Sequence, residues 1–410
     1  MSTPTLNPQL SPVPWLTLRR LRAQGFVLLL VIWSVFAWNY SVPGVRDRDG
    51  QIKGTDFIHF YTLGMIAREH RGDALYNIAA QQAIAARRIP QAARVRYLPL
   101  YPPQVSLLFA PLAGLPYSTA LLLWSLGSLA TYGLCCAAIV RLYPALQTES
   151  LTVAVCAAAY PAFWHLIAWG QTSALALACF VAAYFALRAD RRFLAGLALG
   201  CLIYKPQLGL AAALVCLLSG EWTLIGGALV SAAIQLAAAW GFYGHGSLLD
   251  WMHAILQVPG QMSWLEPRPF QTHCLRTFWS MLLPWPRLSG AMYGISAAWM
   301  TIAAVKCWRS RAALELRFSA LLLATVLLSP HLTVYDLVVL APALLLLGQH
   351  AAGSANGLLR WLLYLTYALP LIGPLARWTH VQLSVIAMVG LLLWIRSACG
   401  PRRLPLGVQC

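Results

Sequence analysis

Charge is what this chain most lacks. Only 10% of its 410 residues are Asp, Glu, Lys or Arg, against about 25% in ordinary soluble domains. With 60% of its residues hydrophobic, it cannot clothe a globule of this size in charge, so lipid must be the solvent for most of its exterior. Lysine is almost missing, at Lys53, Lys205 and Lys306 alone; the other basic residues are arginines. A net charge of +17 would suggest nucleic acid in a soluble protein. Here the basic residues fall mostly in short gaps between apolar runs, which reads as membrane orientation and not as a nucleic-acid stripe.

Soluble-enzyme motifs are missing as well. There is no Gly-rich phosphate loop, GxSxG, HExxH or ATP-binding module, which excludes an ATP-driven pump within this chain and leaves nothing to hold a nucleotide sugar. Most of the ten cysteines sit in apolar segments, among them Cys135, Cys136, Cys156, Cys179, Cys201 and Cys216, and only Cys274 lies in a long polar loop. Neither zinc spacing nor a disulfide pair follows from that pattern. The first apolar run ends in Trp38-Asn39-Tyr40-Ser41 with no small-x-small cleavage pattern, so a retained helix is expected. No ligand spacing compels a metal, although Asp47, Asp49, Asp56, Glu69 and Asp73 leave a divalent ion open; no other cofactor is expected.

What is present predicts an all-α, polytopic transmembrane bundle of about twelve spans. The expected layout is a cytoplasmic tail at 1–23, a transmembrane domain at 24–398 and a cytoplasmic tail at 399–410. Two long extracytoplasmic loops, 43–102 and 243–286, interrupt the domain. Arg19, Arg20 and Arg22, then Arg188, Arg191 and Arg192, then Lys306, Arg309, Arg311 and Arg317, and finally Arg396, Arg402 and Arg403 mark the cytoplasmic side. Within the first loop, 56–70 and 73–88 carry helical patterns expected to lie as interfacial helices against the membrane. Prolines break 97–116 into a half-helix or re-entrant piece. Residues 193–219 are long for one helix and carry Lys205-Pro206 in the middle; two short passes meeting at Lys205 explain both facts. Only that split puts every short basic loop on one side.

With this topology the unusual polar groups gather outside. Asp56 opens a helix-like segment and admits two readings, a general base or an N-cap. Lys205 is the only lysine among the spans and suits a phosphate headgroup, against the plainer reading of a snorkelling lysine. His331 lies in a Ser-Pro-His turn, where it can serve a site, cap a helix or bond across helices. Asp336 reads as a structural partner that orients a neighbour. Gln171 is either helix-packing glue or a ligand for a sugar hydroxyl. His59, Gln207 and Tyr335 accompany these groups as candidate substrate contacts, and Gly170 reads as a turn residue. The tryptophans belong mainly to the interface belts, with Trp251 and Trp264 of the second loop able to stack on sugar rings.

Five segments together resemble glycosyltransferase family 87, integral membrane enzymes of GT-C type: DFIHFYTLGMIAREHRGDALYN (56–77), YPPQVSLLFAPLAGLP (101–116), WGQTSALALACF (169–180), AGLALGCLIYKPQLGL (195–210) and SPHLTVYDLVVLAPALLLL (329–347). The resemblance covers about 25–350 and weakens beyond 358. It implies transfer of one hexose, mannose first, from a polyprenyl-phosphate sugar to a lipid or glycan acceptor, with inversion, on the periplasmic side of a bacterial inner membrane. It implies Asp56 as the base, Lys205 on the donor phosphate, His331 near the leaving group or sugar, and Gln171 on substrate. Two other readings remain open here: a secondary transporter or flippase, and a lipid-glycan polymerase or ligase. Partners are therefore the lipid-linked donor, the acceptor and the bilayer, with no nucleic acid.

Overall fold

The computed structural model describes residues 17–352 and 356–400. The outer parts of both expected tails, 1–16 and 401–410, lie outside the described residues. Helix α1 (Leu18–Tyr40) starts at Thr17, whose side chain accepts from the Arg20 backbone N–H. Helices α2 (Phe57–Arg68) and α3 (Ile78–Arg88) build the first loop, and the short α4 (Gln104–Phe109) follows it. After α5 (Tyr117–Val140) and α6 (Pro144–Thr148), α7 (Ser150–Ala158) and α8 (Pro161–Trp169) form one broken unit bent by 45°. The break falls at Tyr160-Pro161, where proline supplies no backbone donor.

Helices α9 (Ser173–Arg188), α10 (Arg192–Gly200), α11 (Pro206–Leu218) and α12 (Trp222–Tyr243) follow. The second loop holds α13 (His245–Gln257), α14 (Met262–Leu265) and α15 (Leu275–Leu282). The chain closes with α16 (Pro286–Trp308), α17 (Leu314–Leu328), α18 (Ala341–Ala352), α19 (Gly357–Ala368), α20 (Ala376–Thr379) and α21 (Leu383–Ala398). Among the described residues there is no strand, only isolated bridges such as Thr272–Thr333.

Among the described residues, six helical stretches are long and apolar enough to cross a membrane, or seven if the bent α7–α8 pair is one span. They include α1, α5, α12 and α16, the run from Val334 through α18, and Gly357–Thr379. Length and composition therefore account for six or seven of the expected dozen; α9, α10 with its 3-10 extension to Tyr204, α11 and α21 are apolar but shorter. Burial matches a lipid exterior. Leu30 on α1 and Leu229 and Ile234 on α12 are exposed, an apolar surface that water would not tolerate. Helix α17 is the opposite case, buried from Leu316 to Leu328 except for the flank at Arg317.

The chain direction around Lys205 follows from close packing. Neighbouring backbone leaves no room for a Cβ at Gly196, Gly200 or Gly227, where α10 and α12 touch. Gly196 meets Leu224, and further along Gly200 meets Ala228 and Ser231, so the two helices run parallel. Arg192 at the start of α10 pairs with Glu221 at the start of α12, 2.7 Å apart. Helix α11 must then return between them, and Lys205 lies at the end opposite Arg192 and Glu221. Two short legs meet at Lys205, as its sequence context predicts.

The same axis organises the whole bundle. One end gathers Arg22–Glu149 (2.9 Å), Arg188–Glu315 (3.6 Å) and Arg192–Glu221. Helix α9 carries Ser173 about 22 Å away from Arg188, and α17 carries Ser329 and His331 a similar distance from Glu315. The candidate residues therefore share the end opposite those three ion pairs.

The first loop differs from expectation in one respect. Residues 56–70 do form a helix, but every residue of α2 from Phe57 to Ala67 is buried. It is enclosed by protein and has no free face to lay on a membrane. A segment apolar on all sides needs cover on all sides.

Candidate active site

Asp56 stands at the first position before α2, yet its carboxylate makes no capping bond. Its Oδ2 instead accepts from Gln171 Nε2 at 2.6 Å, while the Thr172 backbone N–H donates to Gln171 Oε1 at 3.2 Å and so orients the amide. The Asp56 backbone N–H donates to the Trp169 carbonyl at 2.9 Å, pinning α2 to the end of α8. Gly170 makes this contact possible. Its φ is +64°, and a Cβ there would stand 2.6 Å from the Cβ of Phe57; a side chain is therefore excluded both by conformation and by space. Burial pushes the Asp56 carboxyl up from 3.8 to about 6, against the Gln171 hydrogen bond and the charge of Lys205, which hold it down. The residue remains half-buried, so protons can reach it.

Lys205 is buried, with 2% of its side chain exposed, and Asp336 answers its charge. The ammonium donates to Asp336 Oδ1 at 2.5 Å and to Ser173 Oγ at 2.8 Å, and lies 5.1 Å from the centre of the Tyr335 ring. Asp336 also accepts from Ser173 and closes a capping box with Thr333, so it positions Lys205 and starts the turn after His331 together. Of the three N–H bonds of the ammonium, one is left for a ligand.

His331 caps no helix. Its Nδ1 meets Glu266 Oε1 at 2.7 Å. Glu266 ends α14 in the second loop, is buried, and pairs also with Arg276. Burial raises the Glu266 carboxyl, but His331 and Arg276 outweigh it and hold it below its usual value. The second loop is joined to the turn that carries His331 by the Thr272–Thr333 bridge and by the His273 backbone N–H donating to the Leu332 carbonyl at 2.8 Å. Asp56 lies close enough to feel Lys205, Asp336 and His331, which places all three groups around one centre.

Of the other sequence candidates, Tyr335 packs edge-on against Trp169, 5.4 Å between centres. His59 is buried one turn after Asp56, beside Tyr97 and Tyr101. Gln207 is half-buried on the first turn of α11 and joins none of these hydrogen bonds. Trp251 is held by the Leu100 carbonyl at 3.0 Å, whereas Trp264 is 41% exposed. Glu266, Ser173, Thr172 and Tyr101 are members that sequence reasoning missed. The Tyr101 hydroxyl lies beside Thr172 and Gln171 and feels Asp56 and Asp336. Among the described residues no group of three or more His, Cys, Asp or Glu side chains could hold a metal ion.

The family model of glycosyltransferase family 87 matches residues 100–330. The chain belongs to glycosyltransferase family 87. It is a multi-pass membrane glycosyltransferase, and that activity displaces the transporter reading. No curated protein and no solved structure matches it. The matched region of this family-87 enzyme supplies Gln171, Ser173, Lys205 and Glu266, while Asp56 and the His331–Asp336 turn lie outside it and reach the centre through the fold.

Proposed function

We propose that this glycosyltransferase moves a single hexose, mannose as first candidate, from a polyprenyl-phosphate sugar to a lipid or glycan acceptor, with inversion. The acceptor hydroxyl attacks the anomeric carbon as the bond from that carbon to the phosphate oxygen breaks. Asp56 takes the hydroxyl proton, and the electron pair leaves with the polyprenyl phosphate. Lys205 offers its remaining N–H to that phosphate. His331, oriented by Glu266, faces the leaving group or the sugar, and Gln171 and Tyr335 contact substrate. A phosphate leaving group needs little more than a base, a cation and orientation.

The observation that carries this reading is the half-buried, Gln171-bonded Asp56 beside Lys205 and His331, at the end of the bundle opposite the Arg22, Arg188 and Arg192 ion pairs. The short basic loops suit the cytoplasm, which points the site to the periplasmic side of a bacterial inner membrane. Alternating chain directions through the shorter helices support a count of about twelve passes, with both termini cytoplasmic.

The test supplies purified protein in lipid nanodiscs with polyprenyl-phosphate mannose or glucose and a membrane-lipid extract. Asp56→Asn should lose about 10²–10⁴-fold of the transfer rate while inserting normally. Near wild-type transfer by that variant removes Asp56 as base.

A further inference from the structure

The end of the bundle that holds the Arg22, Arg188 and Arg192 ion pairs carries an open notch that the transfer reaction does not use. Its volume is about 340 Å³, and Asp190, Arg191, Arg192, Phe193, Leu194 and Thr223 line it. Ligand sites run from roughly 300 to 1,000 Å³. Asp190 and Arg191 form the turn from α9 to α10, fixed by their backbone N–H groups on the carbonyls of Leu187 and Ala186 at 3.0 and 2.8 Å. Thr223 comes from the first turn of α12, so the notch straddles the starts of the two helices packed at Gly196, Gly200 and Gly227. It lies about 20 Å along α10 and its extension from Lys205.

The charges around the notch are only partly spent. Glu221 accepts from Arg192 through one oxygen at 2.7 Å and from the Trp308 indole N–H through the other at 2.9 Å. Both its oxygens are engaged, and Arg192 is neutralised by it. Asp190 stands 3.6 Å from Arg192 with 90% of its side chain exposed, a loose pair that contributes little. Arg191 and Thr223 are exposed, and among the described residues neither side chain has an ion-pair or hydrogen-bond partner. Asp190 and Glu221 balance Arg191 and Arg192, so the notch is neutral overall. A bare phosphate would meet the Asp190 carboxylate, and a bare amine would meet Arg191. A neutral group that carries both charges answers both. The polar lining passes straight into apolar surface at Phe193, Leu194 and Trp222, all exposed. Aliphatic side chains beside an exposed Trp mark the edge of the hydrocarbon layer, so the occupant needs acyl chains as well as a head.

We infer that this notch binds the phosphoethanolamine headgroup of a membrane phospholipid, with its phosphate on Arg191 and Thr223, its ammonium on Asp190 and its chains along Phe193, Leu194 and Trp222. The ammonium brings N–H donors to the carboxylate. A choline headgroup has no N–H to give, and a glycerol headgroup has no cation, so neither completes the set.

The test uses the full chain in a maltoside detergent. Native mass spectrometry counts the lipid retained from phosphatidylethanolamine, phosphatidylcholine and phosphatidylglycerol with the same acyl chains, offered at equal concentration. The ethanolamine lipid should be held about five-fold more tightly than the other two. Arg191→Gln combined with Thr223→Val should remove that preference. Asp190→Asn, which leaves the notch net positive, should turn it toward phosphatidylglycerol. All three side chains are exposed, so the variants should melt with the wild type in the absence of added lipid. Phosphoethanolamine without chains should not compete at millimolar concentration. The inference is overturned if the three lipids are retained equally, if phosphatidylglycerol leads in the wild type, or if either folded variant keeps the wild-type order. Competition by free phosphoethanolamine as strong as by the lipid would make the ligand a soluble one and overturn it as well.

Discussion

Gln171→Leu separates tuning of the base from contact with substrate. Gln171 Nε2 donates to the Asp56 carboxylate at 2.6 Å, a bond made to the ionised form. Hydrogen bonds to charged groups contribute about 1.5–3 kcal/mol, and 1.36 kcal/mol corresponds to one pH unit. Asp56 is half-buried, so water replaces part of the lost bond, and the low end of the range applies. The carboxyl should therefore rise from about 6 to about 7. A base must be ionised to act. At pH 6 the ionised fraction falls from about a half to about a tenth, a roughly five-fold loss of kcat/KM. Above about pH 8.5 both forms are ionised and the rates converge. The assay is kcat/KM for sugar transfer across pH 5 to 9. An acidic limb that stays in place, with activity reduced equally at every pH, would refute the tuning argument and make Gln171 a substrate contact.

Three further perturbations test the same centre. Asp56 is held above its ordinary value of 3.8, near 6, so its favourable contribution to folding is complete below about pH 4 and is lost as pH rises through about 6, a change of up to about 3 kcal/mol. Asp56→Asn should accordingly melt higher than wild type at pH 8 and level with it at pH 4; equal melting at both values would contradict the burial argument. Lys205→Met should destabilise by about 3–5 kcal/mol by leaving Asp336 charged and alone, and adding Asp336→Asn should restore most of the stability while the donor KM stays raised; restored donor affinity in the double variant would remove Lys205 from the phosphate. Glu266→Gln should lower kcat about 10–100-fold through loss of the charged bond to His331, with Glu266→Asp recovering part of it; an unchanged kcat would leave Glu266 a structural partner of Arg276 alone.

Much of the site was legible because the membrane makes polar residues conspicuous. Lys205 and Asp336 stand out inside apolar runs, and the Lys205-Pro206 break forced the split into two legs that the parallel packing of α10 and α12 bears out. Glu266 could not be found this way, since the second loop is polar anyway and one more carboxylate carries no signal there. Ser173 and Thr172 are common at the starts of helices, and Tyr101 reads as one more interface aromatic. The interfacial reading of 56–70 rested on its helical pattern of apolar and aromatic positions, but the segment FIHFYTLGMIA has no polar face to turn to water and is buried throughout. The span count is a different case: α9, α10 and α11 are too short to qualify one by one, and length and composition account for six or seven spans among the described residues.

The charges of the centre also bear on product release. Lys205 is matched by Asp336 and Arg276 by Glu266, so both charges are already balanced, although Lys205 keeps one N–H to offer. With a polyprenyl-phosphate sugar as donor, the phosphodiester arrives with one negative charge and departs as a monoester carrying about −1.5 to −2. An unmatched lysine and arginine would hold that product most tightly of all and slow turnover. A site that offers single hydrogen bonds from groups already neutralised can stabilise the charge forming on the leaving oxygen and still let go. Asp336→Asn then has a distinctive consequence: by freeing the charge of Lys205 it should tighten polyprenyl phosphate as an inhibitor more than it tightens the donor, measured as the ratio of inhibition constant to donor KM. A ratio unchanged or raised by the substitution would show that the Lys205–Asp336 pair serves packing and not turnover.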